Sequence, residues 1–234
     1  MALSISTLVA VLAVSLSTSQ NVTPIRVLVV TGGHSYPTSF YTLFEQPGIA
    51  WDHAVSSEEA YKSDLRERHD VLVLYDMPKT LSETGRQNLR AFAEAGRGIV
   101  VLHHAIVSYS DWDWYRDLIG GRYLDQPQAG QPASTYRHDE QMRIALARAH
   151  PVTEGLAPFS VLDETYKGMW LAPTNTVLLT TDNPTGDPPV AWVSAYTQSR
   201  VVTIQLGHGP ESHRDASYRR LVLNAIRWTG ERAN

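Results

Sequence analysis

Gly98-Ile99-Val100-Val101-Leu102-His103-His104 is the stretch that decides the fold. A continuous β-branched and leucine run of this kind marks a strand buried on both faces, which requires helices above and below its sheet. Val71–Tyr75 has the same character, as do Ile25–Thr31 and Val201–Leu206, and Ala50–Val55 is a weaker example. Between these runs lie helical stretches. Ser57-Glu58-Glu59 opens one, with acidic residues in the first turn where the helix dipole favours them. Ser82 caps another, running through Ala95 to Gly96. Asp111–Ile119 and Asp215–Trp228 supply two more. Strand and helix in alternation predict βαβ units and an α/β domain over 24–230 with a mostly parallel central sheet. Met142–Leu146, Val177–Thr181 and Val190–Val193 are shorter and are expected as an antiparallel extension. Asp125–Thr135, rich in Gln, Pro, Gly and Ala, reads as an irregular surface loop.

Composition narrows the function classes. The 234 residues are 43% hydrophobic and carry a formal net charge of −4, so a substantial core is expected. Lys and Arg form no basic block, so there is no electrostatic reason to expect nucleic acid or an anionic membrane as partner. Cysteine is absent, which excludes disulfides, thiolate metal sites and a cysteine nucleophile. At the N-terminus, Leu8–Val14 is a short apolar run followed by Ser17-Thr18-Ser19. A short apolar run before a small-x-small site predicts a signal peptide over 1–19 and export of the protein to the periplasm or the medium. The segment lacks the usual basic start. No later stretch is long and apolar enough to span a bilayer as a helix.

The chemistry lies where strands end. His34 follows the first strand in Gly32-Gly33-His34, His103 and His104 close the fourth, and His208 follows the last in Gly207-His208-Gly209. In an open parallel sheet the carboxyl ends of the strands form the rim where ligands bind. Imidazoles gathered there can hold a metal or move protons near neutral pH. Alternation sends one of His103 and His104 into the cleft, and His103 is the favoured one. Gly on both sides of His208 is hard to explain by packing, and Glu211 or His213 could orient its ring. Leu162-Asp163-Glu164-Thr165-Tyr166 adds two carboxylates and a phenol, although such carboxylates are more often simply solvated. His53 and His69 read as surface or edge residues, His150 as a turn residue, and His138 is left undecided. Trp112, Trp114, Trp170 and Trp192 are core residues by default, though an indole face can also stack on a sugar ring.

From Arg26 to Trp228 the chain resembles the ThuA-like (trehalose utilisation) family of the class I glutamine-amidotransferase-like superfamily. The resemblance is carried by Thr31-Gly32-Gly33-His34-Ser35-Tyr36, Gly98–Ala105 followed by Asp111-Trp112-Asp113-Trp114-Tyr115, and His150–Leu156. It continues through Asp163-Glu164-Thr165-Tyr166, Pro189–Trp192 and Arg200–Val202 leading to Leu206-Gly207-His208. It implies a flavodoxin-like three-layer α/β sandwich without the amidotransferase cysteine, and a link to trehalose-type disaccharides and their 3-keto forms. It also implies functional histidines at His34, His103 and His208 and an acidic residue at Glu164. The doubled His103-His104 departs from the single histidine of many relatives.

Two readings follow. The first is an enzyme acting on a trehalose-type disaccharide or 3-keto-glycoside by hydrolysis or elimination, with His208, Glu164 and His103 as catalytic candidates. Tyr36, Asp163, Tyr166, Trp112 and Trp170 would then contact a small carbohydrate, and His34, His103 and His208 could hold a divalent ion, Zn2+ first among them. The alternative is a non-catalytic carbohydrate-binding or structural domain with a vestigial site. Substrate, metal and oligomeric state are left open by the sequence.

Overall fold

The computed structural model describes residues 23–231; the expected leader at 1–19 lies outside them. In chain order the strands are β1 (Ile25–Gly32), β2 (Ile49–Ala54), β3 (Val71–Asp76), β4 (Gly98–Leu102), β5 (Gly121–Arg122) and β6 (Thr135–Leu146). They continue with β7 (Phe159–Lys167), β8 (Trp170–Leu171), β9 (Thr176–Thr181), β10 (Pro189–Val193) and β11 (Val201–Ile204). The helices are α1 (Ser57–Ala60), α2 (Glu83–Glu94), α3 (Asp113–Ile119), α4 (Pro210–Arg214) and α5 (Ala216–Gly230). None is long and apolar enough among the described residues to cross a membrane.

Nine strands form one sheet in the order β2-β1-β3-β4-β11-β10-β9-β6-β7. The five from β2 to β11 run parallel, and β10, β9, β6 and β7 extend the sheet antiparallel. The parallel strands are those expected from their apolar runs. Every residue of β3, β4 and β11 is buried, with one apolar cluster on each face. Val73, Val100, Val202 and Ile204 pack against Leu221, Val222 and Ile226 of α5 on one side. Leu72, Leu74 and Val101 pack against Leu89 and Phe92 of α2 and Leu118 of α3 on the other.

The local signals for α2 are borne out: the Ser82 side chain accepts from the Gly85 amide and α2 ends at Glu94. β5, β8 and α4 were not expected, and two strands differ in extent. β6 begins at Thr135 rather than Met142, because its first half is exposed and polar and so lacks the apolar alternation that betrays a strand. β7 is a full strand where only a short apolar run was visible. His69 is buried rather than superficial, its Nε2 lying 2.9 Å from an Asp52 oxygen.

One core feature is costly. Asp76 ends β3 fully buried, accepting from Ser57 Oγ at 2.6 Å and Tyr109 Oη at 3.1 Å, while its other oxygen has no partner. Burial pushes its pKa up from 3.8 to about 6, against the pull of those two hydroxyls. A raised carboxyl pKa means that the unfolded chain ionises first. Stability tied to Asp76 is therefore complete below about pH 4 and is lost as pH rises to about 6. Over that window the loss is on the order of 3 kcal/mol at about 1.4 kcal/mol per pKa unit. Asp76→Asn removes this loss, so the stability difference between variant and wild type should swing toward the variant between pH 4 and pH 7. Urea melts across that range check it, and parallel stability-pH profiles would refute it.

Candidate functional site at the sheet rim

His103 sits at the end of β4 with φ +48°, a left-handed conformation that a β-branched or bulky side chain rarely adopts. Strain of this kind persists where the surroundings over-determine it, and it concentrates at functional sites. Here it turns the chain sharply out of the strand and aims a fully buried imidazole sideways. His103 Nδ1 lies 2.7 Å from the Gln205 carbonyl, which accepts only if that nitrogen carries the proton. The tautomer is thereby fixed, and Nε2 presents its lone pair to the cavity. The next residue is fixed from the other side, although its ring lines the same cavity and alternation does not divide the pair as expected. His104 Nε2 lies 3.1 Å from the Tyr75 carbonyl and likewise donates, leaving its buried Nδ1 without a partner. Burial, first of all, pushes His103 well below the ordinary imidazole range and His104 to about 3, so both are neutral near pH 7.

His208 reaches the same point from the loop after β11. Gly207 precedes it at φ +119°, where a Cβ would lie 2.1 Å from the Tyr218 hydroxyl, so only glycine fits this turn. The loop is held by Asp163. This buried carboxylate accepts from the Gly207 amide at 2.7 Å, the His208 amide at 2.9 Å, Ser212 Oγ at 2.6 Å and the Glu164 amide at 2.8 Å. Glu211 and His213 were expected to orient the His208 ring and do not. His213 bonds Ser39 and the Gly207 carbonyl instead, because it projects inward from α4 against Phe40 and Tyr75 rather than into the cavity.

Glu164, next to Asp163 on β7, faces the imidazoles. Its oxygens lie 3.7 Å from His103 Nε2, 3.2 Å from His208 Nδ1 and 2.6 Å from His138 Nδ1. His103 Nε2 is also 3.1 Å from His208 Nδ1 and 3.2 Å from Tyr166 Oη. Burial pushes the Glu164 carboxyl up to about 7; the Tyr166 hydroxyl pulls it back and neighbouring Asp163 adds to the rise. His208 is shifted down, by burial first and then by His138 and His34. A cavity of about 350 Å3 opens over this cluster, with Lys79, Tyr123, Asp125, Tyr136 and His34 also in its wall.

The candidates sort as follows. His103, His208, Glu164 and Tyr166 converge. His34 lines the cavity but is exposed, stacks on His104 with ring centroids 4.7 Å apart, and lies 6.3 Å from the His208 ring. The compact donor set is His103, Glu164 and His208, so Glu164 takes the place expected for His34. The Tyr36 hydroxyl is turned back to Thr31 and Tyr41 and does not reach the cavity. Asp163 is consumed by backbone amides and touches no cavity space. Trp112 lies buried under Arg86 and Arg90, and Trp170 packs on Arg116. Both indoles are held by guanidinium stacking away from the rim. His138 was missed as a site residue: a bulge in β6 between Arg137 and Glu140, with Asp139 at φ +56°, re-aims it. No sequence periodicity announces such a bulge.

Fold and rim together define a doubly wound α/β protein with an imidazole–carboxylate cluster at the elbow position. The chain belongs to the ThuA family (Trehalose utilisation), which it matches over residues 26–229. Solved structures agree in fold. A ThuA-like protein from Parabacteroides merdae is 19% identical with a TM-score of 0.74, covering 88% of this chain and 90% of that one. A second, from Bacteroides uniformis, is 20% identical at 0.67, covering 88% and 91%. Part of the β-galactosidase from Rahnella sp. R3 is also similar, at 15% identity and 0.60, covering 87% of this chain and 31% of that one. No curated protein matches the sequence.

Asp163→Asn puts an amide NH2 where four donors converge. It should lower stability by about 2 kcal/mol or more and broaden the His208 imidazole signals in NMR. A variant with wild-type melting and unchanged His208 resonances would show that the carboxylate does not hold the loop.

Proposed function

We propose that this protein is an enzyme acting on a carbohydrate, and that it breaks a trehalose-type or other glycosidic bond after activation of the sugar as its 3-keto form. The observation that carries the reading is Glu164, whose one oxygen lies 3.2 Å from His208 Nδ1 and 2.6 Å from His138 Nδ1. Each ring can donate its Nδ1 proton to that carboxylate and turn Nε2 away from it. A carboxylate behind an imidazole fixes its tautomer and stabilises the imidazolium formed when it takes a proton.

In a 3-keto-glycoside the carbonyl acidifies the C2–H bond. His208 Nε2 removes that proton, the electron pair moves into an enolate on O3, and re-formation of the carbonyl expels the glycosidic oxygen from C1. A protonated His138 delivers a proton to the departing oxygen, which leaves as an alcohol. The products are the unsaturated keto sugar and the free second component. General acid–base groups positioned in this way contribute typically 10^2–10^4-fold to rate.

The same donor set fits a divalent cation. Two imidazole nitrogens and a carboxylate oxygen suit Zn2+, whose tetrahedral ligand atoms lie about 3.3 Å apart at bond lengths near 2.0–2.1 Å. Here the two ring nitrogens lie 3.1 Å apart, and the three donor atoms all fall within 4.8 Å of one another. The Gln205 carbonyl behind His103 is the kind of outer partner that fixes a ligating imidazole. Bound there, such an ion would act as a Lewis acid on a substrate carbonyl oxygen; with Nδ1 ligating, His208 would carry its proton on Nε2, so its roles as ligand and as base are alternatives.

His208→Ala and Glu164→Gln should each lower turnover of a 3-keto-trehalose substrate at least 100-fold, with melting temperature little changed for the rim residue His208. Release of the free sugar, followed by chromatography, reads the outcome. Full activity in either variant, or no turnover by wild type with and without added Zn2+, would overturn the reading. Wild type that binds the sugar without turning it over would favour a binding domain.

A further inference from the structure

The mouth of the cavity carries features that the chemistry at its floor does not use. Tyr136, at the start of β6, is 57% exposed, and its ring meets His138 edge-on with centroids 5.2 Å apart. Large apolar side chains so exposed are few among the described residues, and this one stands in a cavity wall. In the same cavity wall, Lys79 Nζ and Asp125 Oδ2 pair at 2.6 Å, joining the loop after β3 to the loop after β5. With side chains 57% and 32% exposed, such a pair adds little to stability. Its position at the opening therefore calls for another role.

We propose that Tyr136 and the Lys79–Asp125 pair form an outer subsite for a second, neutral sugar ring. The proposal rests on the carbohydrate reading above and extends it to substrate size and charge. A pyranose has an apolar C–H face and a rim of hydroxyls. The phenol ring of Tyr136 offers a flat apolar partner for the first. Lys79 donates to hydroxyl oxygens while Asp125 accepts from hydroxyl protons, so adjacent hydroxyls can bridge the pair.

Charge argues against a phosphorylated ring. Lys79 is the one Lys or Arg in the cavity wall among the described residues, and Asp125 neutralises it. A phosphate dianion would have to displace that carboxylate and would face Glu164 as well. The outer ring is thus the part of the substrate that leaves, bound at the mouth while the inner ring meets the imidazoles. A disaccharide should consequently bind better than its monosaccharide half.

Calorimetric titration of the full protein with trehalose, glucose and trehalose 6-phosphate tests this. Wild type is expected to bind trehalose at least tenfold tighter than glucose or the phosphate. Tyr136→Ala and Lys79→Ala should each cost about tenfold for trehalose, near 1.4 kcal/mol, and leave glucose unchanged. Tyr136→Phe should retain wild-type affinity, since it keeps the stacking face. Equal affinity for glucose and trehalose, or a Tyr136→Ala effect equal on both, would overturn the outer subsite while leaving a sugar site at the floor. Tighter binding of the phosphate would refute the neutral-ring assignment alone. Binding of none of the three would overturn the outer subsite, while the carbohydrate reading stands or falls on turnover of the 3-keto substrate.

Discussion

The site depends on one buried carboxylate. Asp163 lies on the last strand of the sheet order, yet it accepts hydrogen bonds from two consecutive amides in the loop after β11 and from Ser212 at the start of α4. Burying a carboxylate is expensive unless its lone pairs are satisfied, and here four donors satisfy them. Its pKa is nonetheless raised by burial, with those donors opposing the rise. The clamp draws the far antiparallel edge of the sheet back over the parallel rim. That movement brings Glu164, one residue on, against imidazoles from β4 and from the loop after β11. Without it, the carboxylate and the histidines would belong to separate parts of the surface.

The elbow at His103 is the second constraint. Gln205 fixes this ring from one side, and Tyr75 fixes His104 from the other. Two adjacent histidines thus acquire opposite duties through backbone carbonyls on the two flanking strands. Both are kept neutral by burial. The lone pair of His103 Nε2 meets the Glu164–His208 cluster, whereas the His104 ring stacks on His34. A cysteine nucleophile has no place in this arrangement, because the elbow carries imidazole and the chain holds no cysteine. Proton transfer and the binding of a divalent ion are the chemistries that such a donor set can support.

His138 shows how local irregularity supplies function. A regular antiparallel pairing of β6 with β7 would alternate side chains strictly between the two faces of the sheet. The bulge at His138-Asp139 breaks that alternation and turns an exposed strand toward the cavity. It brings the imidazole to 2.6 Å from Glu164 and leaves Tyr136 standing at the opening. The part of the outer wall that carries Tyr136 and His138 is therefore made outside the parallel core, on a segment that pairs with the sheet only through its antiparallel extension.

The buried runs at Val71–Tyr75, Gly98–Leu102 and Val201–Leu206 determined the parallel sheet by themselves, since a continuous apolar strand is stable only with helices on both faces. They also placed His103 and His208 at one rim, because parallel strands share a carboxyl end. The family resemblance pointed to Glu164 beside them, but sequence could not reveal that Asp163 serves the backbone: the contacts of Asp163 with the loop span 44 and 45 residues and depend on how the antiparallel edge curls. Trp112 and Trp170 looked able to meet a sugar, but only packing could decide that arginines would occupy their faces. His34 was correctly placed near the cavity, while the orientation of its ring was fixed by stacking on His104. Periodicity encodes which residues are buried and which strand ends coincide. Tertiary structure alone decides which polar atoms come within bonding distance, because those distances are set by long-range hydrogen bonds, a left-handed residue and a bulge that no local pattern carries.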